Sequence, residues 1–339
     1  MTAHMAGQER VGEGRPPDWA ACVRQELGDI EVALGKVIGS SVPAITRISD
    51  HLLTAGGKRL RPALVTLAAK ACCAPYDPDR VVIIAAATEL IHMATLMHDD
   101  VIDRTDSRRG RATANAFWGN KLTVLSGDYV LSRAFWLLTK DGDLRALRLI
   151  ADLTLAMSEG EALQLIISGC VKSWEEYYWR IIRDKTARFL DVCCQCGAIV
   201  AGGDESLVKA LSEYGLNLGI AFQITDDILD ITGDPAKTGK PVGSDLRDGK
   251  ITLPVLLALQ NSVEPDGQAL CKMAEQQNIG EKEITAICEA ALRCGAVDMA
   301  REAAAGYVDK AHRCLEDVPS SPARDALYEL AESIIGRMS

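Results

Sequence analysis

The 339-residue chain has no surplus of positive charge: 37 Lys and Arg stand against 47 Asp and Glu, for a net charge of −10. This excludes nucleic acid as a partner at the level of the whole chain, because such a partner needs a basic surface. Any anionic ligand must be met by local cations and bound metal. No apolar segment of signal-peptide type follows the opening residues, so a secretory signal is not expected. The longest apolar stretch, 81–97, is interrupted by Thr88, Glu89 and His92. It reads as a helix buried in protein, and no transmembrane segment is expected. There is no fixed-period repeat and no sustained alternation of period two to support a sheet. The chain is not short of cysteine, with eleven, but Cys193, Cys194 and Cys196 lack a second pair or a His at zinc spacing. Lying in a small-residue helical stretch, they read as compact apolar residues of a protein kept in a reducing, cytoplasmic compartment.

Helical periodicity is what the chain has in quantity. Apolar residues recur at three- and four-residue spacing over 81–98, 121–139, 144–167, 174–200, 205–231 and 251–260. Breaks fall at Ala55-Gly56-Gly57, 75–78, Lys140-Asp141-Gly142 and Gly202-Gly203, and the longest irregular stretch is 232–250. Residues 1–17, rich in Gly, Pro and charge, read as a disordered tail. Residues 18–339 read as one all-α unit, a large helical bundle around a central cavity.

Two aspartate triplets stand inside this apolar pattern: Asp99-Asp100-Val101-Ile102-Asp103 and Asp226-Asp227-Ile228-Leu229-Asp230. On a helix the first and last Asp of each are a turn apart on one face. Two such faces brought together concentrate up to six anionic charges, which divalent cations would have to neutralise. Clustered hard oxygens suit Mg²⁺, especially when it is shared with a substrate phosphate. Solvated acidic turns are the commoner fate of such clusters, but both triplets follow apolar residues, Leu96-Met97 and Phe222, Ile224. Basic residues lie near them in sequence. Gly56-Gly57-Lys58-Arg59-Leu60-Arg61-Pro62 is a glycine turn with three cations, of a type that meets an anion closely. Arg108-Arg109-Gly110 follows the first triplet, Lys185-Thr186 sits in a helical run, and Lys237, Lys240 and Lys250 lie just beyond the second. His92 is two turns before Asp99 on roughly the same face.

These segments together resemble the trans-type (head-to-tail) isoprenyl diphosphate synthases, in their long-chain branch. The resemblance rests on GGKRLRP (56–62), ELIHMATLMHDDVIDRTDSRRG (89–110), GNKLTVLSGDYVLSRAF (119–135), DKTARF (184–189), FQITDDILDITGD (222–234) and GKPVGSDLRDGKITLP (239–254). It implies an all-helical isoprenoid synthase fold and a homodimer. It also implies an Mg²⁺-dependent condensation of isopentenyl diphosphate with an allylic diphosphate, with three ions per site. Lys58, Arg61, His92 and Arg109 would bind the isopentenyl diphosphate. Arg108, Lys185, Thr186, Gln223, Lys240 and Lys250 would hold the allylic diphosphate. Asp99, Asp103 and Asp226 would ligate metal, with Asp100, Asp227 and Asp230 in support, and Lys185 and Lys240 would join Asp99, Asp103 and Asp226 in catalysis. Arg104 departs from the pattern, since many relatives carry an acid there.

The implied chemistry is ionisation of the allylic diphosphate, attack by the isopentenyl double bond and loss of a proton, inside a dry cavity. A terpene cyclase, a squalene-type condensing enzyme and a non-catalytic subunit of a heteromeric synthase fit less well, because both triplets and the basic set are retained. Product length is expected to be about seven to nine isoprene units, with a farnesyl or geranylgeranyl synthase as the alternative. Ala94 and Thr95, one turn before the first triplet, are small where short-chain relatives place an aromatic. Phe135 or Trp136, on the next long helix, would supply a deeper floor.

Overall fold

The computed structural model describes residues 18–338 apart from 109, 235–240, 263–265 and 277–278. The expected N-terminal tail and the assignments to Arg109, Lys237 and Lys240 therefore lie outside the described residues. Helices account for nearly all the described secondary structure. In chain order they are α1 (Asp18–Ala21), α2 (Arg24–Val37), α3 (Pro43–Leu53), α4 (Leu60–Ala71), α5 (Pro78–Ile102), α6 (Ala114–Trp118), α7 (Asn120–Asp141), α8 (Leu144–Ile166) and α9 (Val171–Ile182). They continue with α10 (Arg188–Val200), α11 (Glu205–Thr232), α12 (Ser244–Arg247), α13 (Leu253–Asn261), α14 (Asp266–Ala274), α15 (Glu281–Arg293), α16 (Ala296–Cys314) and α17 (Pro322–Ile335). A π-helical turn, Arg183–Ala187, joins α9 to α10, and a 3₁₀ turn, Gly336–Met338, follows α17. One short antiparallel hairpin, Ser107–Arg108 with Arg111–Ala112, was not anticipated from the sequence.

Local chemistry sets the helix boundaries. Pro78 opens α5 with Asp77 accepting from the Asp79 amide at 3.0 Å, and Asp204 caps α11 through the Leu207 amide at 2.8 Å. Gly142 takes φ +79° and ends α7, so that Asp143 can begin α8 by accepting from the Arg145 amide. The same corner is tied to α5 by Arg80, whose guanidinium donates to Asp141 at 2.7 and 3.0 Å.

Two apolar cores are joined by α11. Leu207, Leu211, Leu218 and Ala221 pack into one, with α2, α4, α5, α7, α10 and α17. Ile220, Ile224, Ile228 and Ile231 pack into the other, with α9, α13, α15 and α16. Close approach of α11 to the π-helical turn needs Gly219, because a Cβ there would collide with the Ala187 backbone. Cys193, Cys194 and Cys196 are wholly buried in α10, with the Cys193 thiol pushed up to about 12 by burial. All eleven cysteines remain thiols. By length and composition α5 could cross a membrane, but 67% of its most apolar window is buried inside the protein.

Candidate active site

The ends of α5 and α11, the turn before α4 and the last turn of the chain converge on a cavity of about 890 Å³. Of the residues singled out by sequence, Lys58, Arg61, His92, Asp100, Arg108, Thr186, Gln223 and Asp226 all line it. Segments 130 residues apart and more are thus brought to one place. Four residues not foreseen, Glu89, Arg111, Phe222 and Arg337, line it too.

In the first triplet the three carboxylates have different surroundings. Asp100 is buried at 2% exposure and takes Arg108 Nε and Nη2, each at 2.9 Å, on Oδ1. Arg108 is thereby anchored by the protein as well as facing the cavity. The Asp99 carboxyl is pushed up to about 6, first by burial and then by the charges of Glu161 and Asp103, against Lys185 and Arg108. Asp103 caps α5 and receives Lys250 Nζ at 3.4 Å, while Asp248 takes the same ammonium at 3.3 Å. Lys185 pairs with Glu161 and donates to Gln164 at 3.0 Å. Those two α8 residues were missed in the sequence. Their three-residue spacing on one helix face was the available signal.

The second triplet divides more sharply. Asp226 faces the cavity and pairs with Arg337 at 2.8 Å. Asp227, 1% exposed, accepts from Tyr178 at 2.6 Å and from Gln223 at 2.9 Å, and burial raises its carboxyl well above the usual range. Asp230 takes the Asp245 amide at 3.2 Å and the Ser244 hydroxyl, bracing α12. Asp227 is thus turned away from the cavity that Asp226 faces. The reason is helical: residue 227 lies 100° round from 226, on the face that carries Ile224, Ile228 and Ile231 into the core.

The cations are also sorted by the fold. Arg59, at φ +47°, donates to Glu31, to Glu89 at 2.8 Å and to the Leu53 carbonyl at 3.0 Å. It holds the turn, leaving Lys58 exposed and Arg61 against the cavity. The Arg61 guanidinium lies 4.6 Å over the Phe189 ring, and His92 meets that ring edge-on at 6.3 Å. One buried aromatic thus orients both. Thr186 donates to Gln223 Oε1 at 2.8 Å, so its proton is already committed. Its oxygen offers the cavity lone pairs.

The chain-length residues are placed less directly. Ala94 is buried in the first core, Thr95 returns its hydroxyl to the His92 carbonyl at 2.8 Å, and neither lines the cavity. Phe135 is half-buried against that core. Trp136 is 41% exposed between Arg133 and Lys140, at 4.2 and 3.9 Å from its ring, so it forms no internal floor in this chain.

Among the described residues, no three His, Cys, Asp or Glu side chains converge to hold a metal by themselves. The donors nevertheless fit Mg²⁺, which is held through one or two hard carboxylates with substrate phosphates and water completing its shell. Asp99 and Asp226 are such carboxylates, and the crowding around Asp99 is what a cation relieves.

The polyprenyl synthetase family model matches residues 42–291. An octaprenyl diphosphate synthase of Escherichia coli K12 is 39% identical over 92% of this chain and 96% of its own length. Component 2 of a heptaprenyl diphosphate synthase of Geobacillus stearothermophilus is 39% identical over 90% of this chain and 94% of its own. A polyprenyl synthase of Caulobacter crescentus, crystallised with calcium and isoprenyl diphosphate, superposes with a TM-score of 0.90 at 36% identity, covering 97% of this chain and 100% of the other. Fold and sequence agree, and the chain belongs to the polyprenyl synthetase family of prenyltransferases.

Proposed function

We propose that the chain is a long-chain trans-polyprenyl diphosphate synthase, adding isopentenyl diphosphate units head to tail to an allylic diphosphate. The observation that carries this is the single cavity that gathers the cationic turn at Lys58 and Arg61 with carboxylates of both triplets. Lys58, Arg61 and His92, with Arg109, hold the isopentenyl diphosphate. Arg108, Lys185 and Lys250, with Lys240, neutralise the allylic diphosphate. Asp99, Asp103 and Asp226 hold Mg²⁺, which when bound stabilises the charge on the leaving diphosphate. Thr186 and Gln223 face the carbon that ionises, where an acceptor oxygen favours developing positive charge. Met93 and Leu96 give the cavity an apolar wall that limits water.

A homodimer is supported by exposed apolar residues along α7, Leu122, Leu125 and Trp136. Residues 18–339 act as one catalytic unit, since α11 runs through both cores. The eleven thiols suit a reducing cytoplasm. The test is the purified chain alone with Mg²⁺, isopentenyl diphosphate and farnesyl diphosphate, with products read by mass. Products of seven to nine units from a dimer support the proposal. A dominant C15–C20 product, or activity only after adding a second protein, overturns the long-chain or the homodimeric part.

A further inference from the structure

A buried tyrosine is wired to the cavity wall. Tyr178 on α9 is 1% exposed and donates its hydroxyl proton to Asp227 Oδ2 at 2.6 Å. On the other side of the carboxylate, Gln223 Nε2 donates to Asp227 Oδ1 at 2.9 Å. Gln223 Oε1 then accepts from Thr186 at 2.8 Å, and both Gln223 and Thr186 line the cavity.

The polarity of this chain is forced. Gln223 Nε2 can only donate and faces Asp227 Oδ1, while Gln223 Oε1 can only accept and faces the Thr186 hydroxyl. The terminal torsion of a glutamine amide is broad and roughly two-fold, and alone it would turn over readily. With its NH₂ held by Asp227, its carbonyl has to face Thr186. Thr186 has one proton, and that proton goes to the carbonyl. What remains for the cavity is an oxygen with lone pairs. Turning the amide over would set Gln223 Oε1 against the Asp227 carboxylate and release the Thr186 proton into the cavity.

We infer that Tyr178 is a positioning residue for ionisation of the allylic substrate: by fixing Asp227, and through it the Gln223 amide, it keeps the Thr186 oxygen turned to the cavity as an acceptor. This rests on the proposed placement of the ionising carbon at Thr186. Tyr178 itself touches no substrate. Its effect falls on the charge-developing step rather than on binding.

The test is the single-turnover rate of the first condensation at saturating Mg²⁺ and both substrates. Tyr178→Phe should lower that rate about tenfold, a fraction of what direct loss of a transition-state dipole costs, with both KM values within about twofold of the parent. In a Thr186→Val background Tyr178→Phe should add no further loss, because the two act through one path. Gln223→Met cuts the same relay with Tyr178 and Asp227 intact, and serves if Tyr178→Phe fails to fold. It should be equally silent in the Thr186→Val background. Additive losses in the double variant, or an unchanged rate in Tyr178→Phe, overturn the role of Tyr178 alone. An unmodified enzyme that forms no product overturns the reaction assignment, and this role with it.

Discussion

Arg337 Nη2 lies 2.8 Å from Asp226 Oδ1, and the same guanidinium sits 5.1 Å over the Phe222 ring. The last turn of the chain thus places a cation on the carboxylate proposed to receive Mg²⁺. Metal and Arg337 compete for that oxygen, so binding of one is linked to release of the other. Replacing Arg337 with Gln should lower the Mg²⁺ concentration for half-maximal activity by about two- to fivefold, as a partly exposed ion pair contributes at most about 1 kcal/mol. A rise in the Mg²⁺ requirement would show that Arg337 helps the bound state instead.

Asp99 offers a test in the metal-free protein. Its carboxyl titrates at about 6 in the fold, above the unfolded value of roughly 3.9. A raised carboxylate pKa means that the folded state holds the proton more tightly, so this group's contribution to stability is fullest below about pH 4 and is lost as pH rises to about 6. Asp99→Asn should therefore raise the melting temperature at pH 7.5 without added metal, and lose that advantage at pH 4. Turnover should vanish in the same variant. An equal melting temperature at pH 7.5 would show that the charge is already compensated.

Lys58 and Lys250 should separate the two substrates. Lys58 stands on the glycine turn and lines the cavity, whereas Lys250 bridges Asp103 of the first triplet and Asp248. Lys58→Ala should raise KM for isopentenyl diphosphate by about ten- to a hundredfold, the range for losing a charge-assisted hydrogen bond. Lys250→Ala should do the same for the allylic substrate. Steady-state kinetics with each substrate varied in turn decides it, and parallel effects on both would merge the two subsites.

Product length turns on whether Ala94 borders the growing chain or only the core. Ala94→Phe should shift the products to C15–C20, read by mass analysis, if the chain runs past it. If Ala94 only packs, the same change overfills a buried position, costing about 1–3 kcal/mol in melting without shortening the product. Phe135→Ala should lengthen the product if Phe135 is the floor.

Much of this site could be read from residue type and spacing. The cavity-facing set at Lys58, Arg61, His92, Arg108, Thr186, Gln223 and Asp226 was visible because each lies in one of the motifs that carry the family resemblance, the glycine turn and the two acidic triplets among them. Arg337, Glu161 and Tyr178 were not visible. Each is an ordinary residue in an ordinary helical segment, and acquires meaning only from a partner 49 to 111 positions away, or nearer in the case of Glu161 and Lys185.

By itself the sequence determined the six helical stretches between 81 and 260 and the presence of two acidic turns with cations near them, because 3.6-residue periodicity is a local property. Which carboxylate does what was decided by the tertiary structure. Asp226 and Asp227 are adjacent and chemically identical, yet one faces a cavity and Arg337 while the other is sealed under Tyr178. Rotation of 100° between neighbours, and the packing of α9 against only one of those faces, separates them.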